Sequence, residues 1–117
     1  MSIKDSILDL TIKKYWFKQI ECGAKTHEYR NVATWKNRLG GDKWKRYHLI
    51  RFRNGQTVKS TDKNKVLYAR LISVKKVNGK DTDLKINHDV YDIEFKLLAE
   101  VNIDTKGLVG KVKNLTS

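Results

Sequence analysis

The sequence predicts an α+β domain: a small mixed or antiparallel β-barrel with one or two flanking helices. Three observations carry that expectation. The apolar pattern runs strand, helix, short strand, short helix, then several alternating segments in a row. Two Asn-Gly dipeptides, Asn54-Gly55 and Asn78-Gly79, punctuate the later segments as tight turns between antiparallel strands do. The chain has 117 residues, 39% of them hydrophobic, which supports one modest core and leaves little room for a second.

The elements follow in order. Ser6 to Ile12 reads as a strand, with Ile7, Leu8, Leu10 and Ile12 apolar around Asp9 and Thr11. Lys13 to Cys22 reads as a helix, because Ile12, Trp16 and Ile20 recur at spacings of four and Phe17 joins their side. Trp16 and Phe17 are expected in the core. Gly23 follows where a helix needs a left-handed end. Lys25 to Arg30 reads as a short extended segment. Asn31 is placed to cap a short helix through Leu39, which Gly40-Gly41 ends.

Tyr47 to Arg53 reads as a strand. His48, Ile50 and Phe52 share one face, and Tyr47, Leu49, Arg51 and Arg53 the other. Gln56 to Asn64 reads as a loop. Val66 to Val77 is the longest strand candidate and ends at the second turn dipeptide. Val90 to Leu98 alternates, with Tyr91, Ile93, Phe95 and Leu97 on one face. Residues 1–101 are read as the domain. Residues 102–117 are read as a C-terminal extension, either a last strand or, given Gly107 and Gly110, a loose tail.

Charge narrows the function. Twenty-five Lys and Arg against thirteen Asp and Glu leave a net charge of +12. Such a field attracts polyanions, and nucleic acid is the commonest one in a cell. The bland alternative is a lysine-rich solvated surface. No apolar run approaches the ~20 residues of a membrane span, and the first residues lack a signal-peptide pattern. With a lone cysteine, Cys22, the expectation is a cytoplasmic protein, monomeric by default. His27, His48 and His88 are scattered and Cys22 has no cysteine partner, so neither a metal nor a cofactor is expected. Cys22 lies at a helix C-terminus, whose partial negative charge opposes a nucleophilic anion.

The densest chemistry lies in Gly23-Ala24-Lys25-Thr26-His27-Glu28-Tyr29-Arg30. In an extended chain Thr26, Glu28 and Arg30 project to one face, and Lys25, His27 and Tyr29 to the other. Lys25 precedes the regular part, so the loop can turn it. Glu28 and Arg30 are therefore placed to pair, and a carboxylate that holds a guanidinium makes it a receptor for phosphate or a base edge. A plain surface ion pair is the simpler reading of the same residues. Trp35 and Trp44 flank a stretch bearing Lys36, Arg38, Lys43, Lys45 and Arg46. Rings among cations suit single-stranded nucleic acid, since bases stack on rings while phosphates meet cations. The alternative is that Trp35 packs into the core from a short helix and Trp44 anchors the following strand. Arg51 and Arg53 extend a cationic track or simply face solvent.

The spacing Gly-x-Lys-x-x-Glu-x-Arg, carried by Gly23, Lys25, Glu28 and Arg30 directly after a helix with Trp16 and Ile20, resembles the signature of the ASCH domain. That family has a PUA-like β-barrel. Arg51-Phe52-Arg53-Asn54-Gly55 also looks like a strand and turn that recurs there. The resemblance covers roughly residues 6–98. It implies RNA, single-stranded nucleic acid or a nucleotide as partner, bound in a cleft ringed by Lys25, Arg30, Arg38, Arg51 and Arg53, with Trp35 or Trp44 lending a ring.

A second class is an enzyme. Some small ASCH-like proteins are N4-acetylcytidine amidohydrolases, and the resemblance assigns catalysis there to the motif lysine, a threonine three residues later and a later glutamate. Lys25 matches the lysine. Position 28 is Glu where that branch has Thr, and Glu94 stands by rough position for the last, with Glu100 behind it. Lys25, Glu28 and Glu94 are thus the catalytic candidates. A ribonuclease would use His27 with Lys25, and a protein-interaction domain would use the same cations on an acidic partner.

Overall fold

The computed structural model describes residues 7–55, 66–82, 84–103 and 109–114, and side chains through Leu98. The expected loop at 56–64 lies outside the described residues. The fold is α+β, with a curled mixed sheet that forms a half-barrel and two α-helices. The elements are β1 (Ile7–Ile12), α1 (Lys14–Glu21), β2 (His27–Asn31), α2 (Val32–Leu39), β3 (Leu49–Asn54), β4 (Val66–Asn78), β5 (Asp89–Ile103) and β6 (Val109–Asn114). A 3-10 turn at Lys43–Arg46 links α2 to β3.

The main path of the sheet runs β1-β3-β4-β5-β2, and β6 pairs with β5. β1 and β3 are parallel; the other neighbours are antiparallel. A parallel pair needs a long crossover, and α1, β2 and α2 fill it. β1 and β2 are left as the two ends of the path.

Alternation decides which face is buried. Leu8, Leu10 and Ile12 of β1, Ile50 and Phe52 of β3, and Tyr91, Ile93 and Phe95 of β5 share one core. Phe17 and Ile20 of α1 and Leu39 of α2 cover it, with Trp35 and Trp44 packed alongside. The helices thus plug the concave face of the sheet. Ile7, Leu49 and Leu98 form a small cluster of their own, with Tyr68 packed against it.

Both helices begin and end as local chemistry dictates. Gly23, at φ +83°, takes the left-handed turn that follows α1. The Asn31 side chain accepts from the Ala33 amide at 2.8 Å and caps α2. Asn31→Ala is expected to cost about 1 kcal/mol, read as a melting point a few degrees lower, while Asn31→Asp, which keeps the acceptor, stays closer to the parent.

Trp16, expected in the core, is half-buried outside the core cluster, and Tyr47 rather than His48 turns inward ahead of β3. Two features of the later strands also depart from the sequence reading. Asn78-Gly79 is not a two-residue hairpin turn: Asn78 pairs with Asp89, and a 3-10 turn at Gly79–Asp81 opens the longer connection. Gly79 is needed there for space, since a Cβ would lie 2.7 Å from the His88 carbonyl oxygen. The register also slips between Leu71 and Ser73, which puts Ile72 in a bulge and leaves it exposed.

Candidate functional site

The seam between the two end strands is where charge collects. Glu28 lies opposite Ile93, and Arg30 opposite Tyr91, so both side chains point to the core side of the sheet. Lys25 joins them because the loop folds back: its amide donates to the Gln19 carbonyl at 3.0 Å, against the end of α1. Its ammonium then sits 4.5 Å from the centre of the Trp16 ring and 5.3 Å from that of Tyr29.

Glu28 holds the cluster together. Its carboxylate stands 2.7 Å from Arg30 Nη2 and 3.6 Å from Lys25 Nζ, and accepts from the Tyr29 amide at 3.2 Å. The Lys25 side chain is 8% exposed and that of Glu28 11%. One carboxylate thus meets two cations in a corner largely screened from water.

Arg30 does more than pair. Its Nη2 also donates to the Thr11 carbonyl at 2.9 Å. Thr11 is in β1 and Arg30 in β2, so this bond crosses the open side of the half-barrel. Arg30 Nε is buried with no acceptor among the described residues. The guanidinium lies 5.4 Å from the centre of the Trp35 ring, and that of Arg38 lies 4.9 Å from the same centre. Trp35, packed against the core from α2, thus lies between the seam and Arg38.

The structure brings together Lys25, Glu28, Arg30, Trp35 and Arg38, with Gly23 at the turn that delivers them. The expected single ring of cations is divided. Arg51 and Arg53 alternate with buried Ile50 and Phe52, point to the opposite face of β3, and both bind Asp9, at 2.9 and 2.8 Å. Burial disfavours the Arg51 charge, but the Asp9 carboxylate and the Tyr68 phenol outweigh it and hold its pKa above the usual range. Trp44 anchors the 3-10 turn against the core, with Lys45 Nζ 6.0 Å from its ring centre.

Glu94 also leaves the predicted site. It lies opposite His27, on the face away from Ile93 and Glu28. There His27 Nδ1 donates to Asp92 at 2.6 Å, and Nε2 is 3.9 Å from Glu94. The trio of Lys25, Glu28 and Glu94 is therefore split across the sheet. Sequence reasoning missed the Thr11 carbonyl, since a backbone oxygen carries no side-chain signal. It also missed Asp9, whose meeting with Arg51 and Arg53 depends on the parallel register of β1 and β3.

No helix among the described residues is long and apolar enough to cross a membrane. No family model matches the chain, and no curated protein is matched by it.

Proposed function

We propose that the chain is an ASCH-like, PUA-type domain that binds RNA or a nucleotide at the β1–β2 seam. The observation that carries this reading is the pair of cations, Lys25 and Arg30, fixed side by side on one carboxylate. A cation held in place by protein groups meets a phosphate or base oxygen without first being ordered, and partial burial strengthens the attraction. The net charge of +12 draws polyanions to it. The hydrolase alternative draws no support from Glu94, which faces away. A cytoplasmic setting suits such a protein, with Cys22 a free thiol.

Lys25→Met tests the reading. It keeps the bulk of the side chain and leaves Arg30 paired to Glu28. Affinity for single-stranded RNA or a mononucleotide, followed by quenching of tryptophan fluorescence, is expected to fall about tenfold, as loss of one charged contact implies. Circular dichroism should show an unchanged fold. A variant that binds as the parent does removes the seam as the binding site.

A further inference from the structure

We infer that the cations beyond Trp35 form a track for a phosphodiester backbone, so that the ligand is a single strand running from the seam across α2 and the 3-10 turn. This rests on the reading of the seam as a nucleotide site and adds the class of ligand: a polynucleotide, not a free nucleotide.

Lys36, Arg38, Lys43, Lys45 and Arg46 are all exposed. α2 and the 3-10 turn meet through Gly40, whose carbonyl accepts from the Lys43 amide at 3.1 Å. Asp42 is the one acid in this stretch, and it pairs with Lys45 in the open, its side chain 87% exposed. Such a pair is weak and screened by salt. Among the described residues, no carboxylate pairs with Lys36, Arg38, Lys43 or Arg46.

The track is continuous with the seam and is set on rings. Arg30 and Arg38 both pack on Trp35. Arg46 packs on Tyr47 at 4.9 Å and donates to its hydroxyl at 2.7 Å. A guanidinium held against a ring loses little freedom when a phosphate arrives. An acidic protein would meet the same charge, but only a chain carrying both bases and phosphates uses the seam and the track together.

The test measures binding of uridine monophosphate and of oligouridylates of increasing length to the full chain, with and without Lys36→Gln, Lys43→Gln and Arg46→Gln combined. In the parent, affinity should rise with length. In the variant, oligouridylate binding should fall about tenfold, with the slope of log affinity against log salt smaller by about 2, at roughly 0.7 per phosphate contact. Monophosphate binding should stay unchanged.

Equal affinity of the parent for the monophosphate and the oligomers overturns the track and leaves the seam standing. So does a variant that holds oligomers as the parent does, or polyglutamate that displaces them as well as oligouridylate itself. A parent that binds no uridylate of any length overturns the seam reading, and the track with it.

Discussion

Glu28→Ala is expected to lower stability by about 3–5 kcal/mol, the cost of removing one partner from a buried ion pair. In a domain of this size that is a fall in melting temperature of about 10–20 °C. The cause is local. Glu28 is 8% exposed, and its carboxylate meets Lys25, Arg30 and the Tyr29 amide. Without it two cations face each other where water cannot fully screen them. Arg30 then loses the group that aims it at the Thr11 carbonyl, and the contact across the open side of the half-barrel weakens. Glu28→Gln keeps the shape and an acceptor for Arg30 but not the charge, so its cost should be smaller. Adding Lys25→Met to Glu28→Ala should recover part of the loss, because Arg30 then no longer has a second cation beside it. A double-mutant cycle gives that coupling directly. If Glu28→Ala melts with the parent, the carboxylate does not hold the seam.

How far the sequence reaches depends on whether a contact is local. The pairing of Glu28 with Arg30 was legible because two positions apart in an extended chain is one face, wherever the strand sits. The cap at Asn31 was legible for the same reason. The inward set on β5 was too, since Tyr91, Ile93 and Phe95 alternate without interruption. The placing of Arg51 and Arg53 was half legible: alternation put them opposite Ile50 and Phe52, but not which face of the sheet the helices would cover. Glu94 was misplaced because its distance along the chain from Lys25 says nothing of sheet face, whereas its register opposite His27 does. Asn78-Gly79 carried a true turn signal for the wrong turn, since Gly79 answers to the crowding of the His88 carbonyl and Ile86. The bulge at Ile72 hid the period of β4 in the same way.

Phe52→Ala is the other substitution expected to cost about 3–5 kcal/mol. Phe52 is fully buried and its ring meets that of Phe95 with centres 4.8 Å apart. It lies on β3, which bonds β1 on one side and β4 on the other, so the void opens beneath the middle of the curl. The neighbouring Arg53, whose side chain is 28% exposed, serves as the control. Arg53→Ala removes one partner of Asp9 on the outer face, where Arg51 still holds that carboxylate, and should cost about 1 kcal/mol or less. Domains commonly have about 5–15 kcal/mol in hand, so Phe52→Ala should still fold in the cold while its denaturation midpoint falls sharply at an unchanged slope. The two residues are adjacent in sequence and alike in strand environment. Only the face differs, and the contrast in cost follows from burial on one side and solvent on the other. Equal costs for the two variants would mean that β3 does not turn Phe52 toward the helices. The curl that brings Arg30 within reach of Thr11 would then lose its foundation.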